Sequence, residues 1–421
     1  MNTTSKRMLE AVCCSLRGEK TAWSEMISIG EWMKLFELSQ RHHILPMVFE
    51  AVYQCPAFQS IPGEQVMQLR RQVVMQVVLQ SKKNEEFLEI YRKMLEKGLT
   101  PLVVKGLVCR SLYPEPDYRA SGDEDILIPP DQFKACDKVL LDNGMRHMNS
   151  DLSLENEDEI SYYKDGGVLH IELHKRLFPK ESKAYGSFNM MFDRVFDRKI
   201  QQEIQGVPIF TMEYTDHLLY LILHAFKHFM HSGFGIRQIC DIIICAENWG
   251  VDINWDYILK QCQKIHADVF AASLFDIGKK ELRFDTGKAC YPKKWADSRI
   301  DGKDLLEDLL ESGIFGDSTM SRKHSSNITL QAITENKEGR KVRVSLWHSI
   351  FPERKYMERS YKYVKKYPIF LPIAWIARIV NYIKEKNVSP ENDISTSITI
   401  GKQRINLMRK YKIIRGVGYN K

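Results

Sequence analysis

The 421-residue chain has no run of about 18 consecutive apolar residues, the length a helix needs to cross a bilayer, so no transmembrane helix is expected. Its nine cysteines include no Cys-x-x-Cys pair, which argues against a zinc ribbon or a thioredoxin-like redox motif. Their odd number and scatter suit reduced thiols in a cytoplasmic protein. The first twenty residues carry charges inside any apolar stretch and lack a cleavage pattern, so no secretory signal is read there.

What the chain has is an ordinary globular composition, 44% hydrophobic and 27% charged, enough for two or three domains with buried cores. Its formal charge of +7 is unevenly placed. Residues 341–421 hold 18 Lys/Arg against 5 Asp/Glu, a net +13 that leaves the preceding 340 residues at −6. There Trp347, Phe351, Tyr356, Tyr361, Phe370 and Trp375 interleave with Arg354, Lys355, Arg359, Lys362, Lys365 and Lys366. This pattern fits docking of a basic helix onto the protein through aromatic anchors, and it also fits a weak RNA or anionic-membrane contact.

Hydrophobic periodicity divides the chain into five stretches: a helical region over 1–98, a core over 99–214, a helical domain over 215–316, a polar connector over 317–340, and the basic aromatic tail over 341–421. In the first, Pro46 opens a helix after a break at His42 and His43, which are read as packing or surface residues. A long helix over 64–96, with Val66, Leu69, Val73, Val77 and Phe87 as a core seam, is stopped by Gly98. In the helical domain Thr215 is read as an N-cap, followed by a helix bearing His224, Lys227, His228 and His231 at spacings of three and four. A zinc site there lacks a Cys or carboxylate at ligand spacing. The expected fold class is therefore α+β, a small mixed sheet flanked by helices.

The chemistry concentrates in the core. An apolar run from Pro101 ends at Lys105-Gly106, where a short helix can begin with backbone N–H groups facing outward, a geometry that suits phosphate. The strand Asp123 to Ile128, DEDILI, puts Asp123 and Asp125 on one face and Glu124, Ile126 and Ile128 on the other. Two such carboxylates repel unless a cation is supplied. In VLHIELH, after the turn Asp165-Gly166-Gly167, the same alternation puts Val168, His170, Glu172 and His174 on one side. If the two strands lie side by side, Glu172 joins the aspartates in a three-carboxylate cage for hard divalent ions. The segment VPIFTM is expected to extend the sheet edge, because Pro208 disfavours a central position.

The run Lys105-Gly106, Tyr113, Arg119, Gly122-Asp123-x-Asp125 and a later strand acid followed by Leu-His resembles the polymerase-β-like nucleotidyltransferase superfamily. Within it, the Lys-Gly turn is similar to a bacterial family of mostly uncharacterised nucleotidyltransferases. The resemblance implies that Asp123 and Asp125 bind two Mg²⁺ ions, or Mn²⁺, together with a nucleoside triphosphate, ATP in the first instance. It implies that Glu172 orients or activates an acceptor hydroxyl of unknown identity. Gly106 and Ser121 would let backbone and hydroxyl approach the phosphates, Lys105, Arg119 and Lys227 would offset their charge, and Arg237 and Asp241 stand where the family has an Arg and an Asp. Arg119 could equally be a salt-bridge partner of neighbouring aspartates. Position 124, aliphatic in the superfamily, is Glu here, which carries the alternative reading of a catalytically lapsed fold acting as a binding or scaffolding protein. A phosphoesterase using the same carboxylates is a third reading.

Overall fold

Capping chemistry sets the first helices. Asn2 caps α1 (Thr3–Leu16), and Ser28 with Glu31 makes a reciprocal capping box on α2 (Ile29–Arg41). The computed structural model describes residues 1–149, 154–155, 157–231, 233–296, 300–312, 320–339, 351, 354, 357, 361–388 and 394–414. Pro46 lies in the first turn of α3 (Leu45–Val52), as expected, and His42 is a fully buried packing residue whose Nε2 lies 3.4 Å from the Leu310 carbonyl oxygen. The long helix α4 (Gly63–Glu96) stops before Gly98, whose φ of +72° only glycine adopts readily. Its seam is uneven: Val73 and Phe87 are buried, whereas Val66, Leu69 and Val77 are half-buried.

The core begins with β1 (Leu102–Val103), much shorter than the apolar run suggested, then α5 (Gly106–Arg110) and β2 (Glu124–Leu127). A single 3₁₀ turn at Pro130–Gln132 precedes α6 (Phe133–Asp142), and Gly144 at φ +79° follows its end. β3 (Met145–His147), β4 (Glu159–Lys164) and β5 (His170–His174) complete a five-stranded mixed sheet of order β1-β2-β5-β4-β3. Gly166, at φ +66°, turns β4 back into β5, and β5 then runs parallel to β2 in the middle of the sheet.

The segment VPIFTM corrects one expectation. It forms β7 (Val207–Thr211), which pairs with β6 (Ile200–Ile204) in a separate two-stranded sheet, because the nearby Gln205-Gly206 turn makes that hairpin locally closed. The Thr215 cap is also displaced. α7 (Tyr214–Met230) starts one residue earlier, and the Glu213 carboxylate accepts the N–H groups of Thr215 and Asp216, while the Thr215 hydroxyl accepts from Asn254 N–H. α8 (Ile236–Trp249) buries Cys240 and Cys245 as core residues, and α9 (Trp255–Lys264) and α10 (Asp268–Glu281) follow as two amphipathic helices. The short α11 (Lys293–Ala296) and then α12 (Lys303–Ser312) follow.

Contacts divide the chain into two compact units, Met1–Ala225 with Gly235–Leu310, and Phe226–Phe234 with Glu311–Lys421. In the second, the polar stretch expected as a connector is helical over Met320–Lys337 (α13), stabilised by packing against the helix Ile394–Lys410. Gly401 permits that closeness, since a Cβ there would come 2.9 Å from Ile328 Cδ1. In the same unit, the buried Arg404 guanidinium donates to the Phe229 and His231 carbonyls, satisfying the end of α7, and the Thr329 hydroxyl donates to Met230 O at 2.7 Å. Of the tail aromatics and basic residues singled out above, Trp347, Tyr356, Lys355 and Arg359 lie outside the described residues. Among the described residues no helix is long and apolar enough to cross a membrane.

Burial lowers the His42 imidazole to about 4 from its ordinary 6.5. The unfolded chain therefore takes up this proton first, and stability present above pH 6.5 is lost as pH falls toward 4, by about 3 kcal/mol for this group. Denaturant titrations at pH 7 and pH 5 should show about 2 kcal/mol of that loss in the wild type, and a smaller one in His42→Gln.

Candidate functional site

The site starts from a turn that only glycine can make. β1 leads through Lys105 into Gly106, which sits at φ +45°, and a Cβ at Gly106 would collide with the Glu124 carboxylate. That carboxylate accepts the Leu107 N–H at 2.9 Å, pairs with Arg110 Nη2 at 2.5 Å, and accepts the Ser121 hydroxyl at 2.9 Å. Glu124 is buried, facing the core as its place in the alternation requires, but it ties the start of α5 to β2. Burial opposes its charge, yet Arg110 and Ser121 outweigh burial and hold its pKa below the usual carboxylate value.

α4 holds the loop between α5 and β2 from the other side. Gln80 accepts Ser121 N–H at 2.9 Å, Lys83 Nζ donates to Ser121 O at 2.5 Å, and Asn84 Oδ1 accepts from Arg110 Nη1 at 2.6 Å while its amide donates to Asp117. This loop delivers Arg119, Ser121 and Asp123 to one cleft.

On the opposite face of β2, register decides the geometry. Asp125 pairs directly with Glu172 of β5, and Leu127 with His174, so Asp125, Glu172 and His174 project on the same side. Among the described residues these three form a group that could hold a metal, with one ligand atom from each lying within 4.8 Å of the others. Asp123 stands outside that trio and lines the cleft with Lys105, Arg119, His224, Arg237 and Asp241. Of the three carboxylates, Asp125 is buried, and Glu172 and Asp123 are half-buried.

Charges around Asp125 are tightly matched. Lys105 Nζ lies 2.8 Å from Asp125 Oδ2 and 3.5 Å from His224 Nε2, and His174 Nε2 lies 3.1 Å from Asp125 Oδ1 and 3.6 Å from Glu172. Burial works against the charged Asp125, but Lys105 and His174 override it and depress its pKa. Burial likewise opposes the imidazolium of His174, yet hydrogen bonds to Asp125 and Glu172 push it up to about 10. Glu172 moves the other way. Burial, reinforced by Asp125 and Asp123, raises it despite His174. One carboxylate is therefore held ionised and its neighbour is made more basic, the kind of separation that assigns different roles to paired acids.

The cleft wall opposite is cationic. Arg119 forms a two-point ion pair with Asp241 of α8, Nε to Oδ1 at 2.9 Å and Nη2 to Oδ2 at 2.6 Å, and Tyr113 donates to the same carboxylate at 2.7 Å. Arg119 is thus a salt-bridge partner, but of a distant aspartate rather than of Asp123 or Asp125. Arg237, one turn before Asp241 on α8, donates to Ala120 O. Arg119 Nη1 and Arg237 Nε are buried without a hydrogen-bond partner among the described residues, an arrangement that suits an anion with several acceptor oxygens. The Ser121 hydroxyl, expected at phosphate, is engaged by Glu124 and Arg110 while its residue still lines the cleft. Lys227 belongs to the second compact unit.

Sequence reasoning had placed His174 on the Glu172 face without giving it a task, and it missed the α4 clamp. The signals were there: the period-2 alternation of β5, and the polar Gln80, Lys83 and Asn84 at helical spacing on the inward side of α4.

A glycine-opened helix, strand carboxylates in parallel register and an arginine-lined cleft on a small mixed sheet define an α+β protein of the nucleotidyltransferase kind. The sequence profile of a family described as uncharacterised nucleotidyltransferase matches residues 29–278, and the chain belongs to that family. No curated protein and no solved structure matches it.

Glu124→Ala should destabilise the fold by about 3–5 kcal/mol in urea denaturation, because it strands a buried guanidinium and frees the Leu107 N–H. Asp241→Asn, which removes the charge opposite Arg119, should also be strongly destabilising, whereas Arg237→Gln should leave the midpoint close to wild type.

Proposed function

We propose that the protein moves a nucleoside monophosphate from a nucleoside triphosphate, ATP in the first instance, to an acceptor hydroxyl. The acceptor oxygen forms a bond to the α-phosphorus as the bond to the bridging oxygen breaks, and pyrophosphate leaves. The observation that carries this reading is the direct pairing of Asp125 with Glu172 beside the Gly106 turn and the Arg119–Arg237 cleft.

Each residue then has a task. The backbone at Gly106 admits a phosphate close to the start of α5, and Arg119 Nη1 and Arg237 Nε donate to its oxygens. Lys105, held beside Asp125, offsets charge on the triphosphate. Glu172, made more basic by burial, accepts the acceptor's proton, and His174 holds Asp125 in place by donating to it. Asp123, Asp125 and Glu172 offer the hard oxygen donors that Mg²⁺ or Mn²⁺ prefers, and such ions would neutralise the triphosphate and favour ionisation of the acceptor hydroxyl.

A binding or scaffolding role without catalysis rested on Glu124, and its engagement with Arg110, Ser121 and Leu107 N–H gives an acid at that position a structural reason independent of activity. The test is pyrophosphate release and label transfer from α-labelled ATP in cell extract, with Mg²⁺. Asp123→Asn and Asp125→Asn should each lower the rate about a hundredfold or more, the scale of losing a group that stabilises developing charge. Arg237→Gln should raise the ATP KM about tenfold, since a charge-assisted hydrogen bond is lost. Rates indifferent to both aspartates would refute the proposal, and hydrolysis without transfer would replace it with a phosphoesterase.

A further inference from the structure

In its N-terminal half the tail helix Leu371–Val388 is apolar on two faces, and among the described residues one of them is packed and the other exposed. Ala374 is fully buried with Met357 and Val364, and Leu371 and Trp375 pack against the same cluster. On the other side Ile369, in the 3₁₀ turn Pro368–Phe370 that leads into the helix, is followed by Ile373, Ile376 and Val380, whose steps of three and four place them along one stripe. They are 81, 54, 62 and 43% exposed. Phe370, Tyr367 and Tyr363 are also exposed at the N-terminal end. A contiguous row of large aliphatic side chains in water marks a contact surface rather than ordinary surface scatter.

Charge identifies the partner. Residues 361–388 carry six Lys/Arg and one Asp/Glu. Lys362, Lys365 and Lys366 precede the stripe, Lys384 and Lys386 follow it, and Arg378 falls on the opposite side of the helix by the 100° step. We propose that this stripe inserts into the interfacial layer of a membrane containing anionic lipid, with the helix lying in the membrane plane and the flanking lysines at headgroup level. Tyrosines at one end of such a stripe suit the same depth, where an apolar ring and a wet hydroxyl are both satisfied. The helix is not long and apolar enough to span, so it lies on the surface rather than crossing. Single-stranded RNA is the poorer fit, because the centre of the stripe is Ile and Val, which offer bases no stacking face.

The experiment is co-sedimentation of the full chain with large vesicles of phosphatidylcholine alone or mixed with phosphatidylglycerol. The expected result is binding to the mixed vesicles only, weakened by salt. The double change Ile373→Glu with Ile376→Glu should cut partitioning at least about tenfold while leaving circular dichroism melting unchanged, because both side chains are exposed. Lys365→Glu with Lys366→Glu should weaken binding to the mixed vesicles as well. Absence of wild-type binding, or equal binding by the Ile variant, would overturn the proposal. So would a wild-type dimer that the Ile variant converts to monomer, which would assign the stripe to a second copy. Capture of an RNA oligonucleotide without vesicle binding would assign the basic tail to nucleic acid instead. None of these outcomes bears on nucleotide transfer, which is read separately.

Discussion

The parallel pairing of β2 with β5 in a single register is the constraint from which the site follows. Because strand side chains alternate, a one-residue slip of β2 against β5 would put Glu124 in place of Asp125 on the site face and turn Asp125 into the core. The apolar Ile126, Ile171 and Leu173, all fully buried, fix the register from the core side. Hydrophobic burial therefore positions the charges, and the polar groups have only to match one another once they arrive.

They do so through a chain of buried ion pairs. Glu124 holds Arg110, Asp125 holds Lys105 and His174, and Asp241 holds Arg119. Isolated, each of these charges would cost several kcal/mol to bury, so each depends on its partner. The first pair also shapes the backbone, because it packs the Glu124 carboxylate where a side chain on Gly106 would otherwise be. α4 and α8 act as the two jaws around this network: Gln80, Lys83 and Asn84 grip the loop that carries Arg119 and Ser121, while Asp241 and Arg237 fix the far wall. What the network leaves over, among the described residues, is two buried guanidinium nitrogens without a partner on residues that line the cleft, an arrangement suited to an anion.

The second unit is built by different means. Close helix packing at Gly401 and Ile328, and an arginine that supplies donors to the end of α7, order α13 and the helix Ile394–Lys410. The polar composition of α13 hides this, since its partner helix begins more than fifty residues later.

By itself, the sequence determined which residues share a strand face, where the chain turns, and which helices stop: the alternation of DEDILI and VLHIELH, Asp165-Gly166-Gly167, and Gly98 are local facts that follow from backbone geometry and period. That β2 and β5 are neighbours was conditional on topology, and only the folded chain decided it. The same holds for Glu124, an apparent misfit in a core-facing position until Arg110 and the Leu107 N–H are seen beside it, and for Arg119, whose partner Asp241 lies 122 residues away. β7 left the main sheet because β6 competes for it, and α13 became helical because another helix covers it. Period and turn chemistry act over a few residues, whereas the pairing of buried charges and the choice of strand neighbour are settled by contacts between distant segments, which no local pattern encodes.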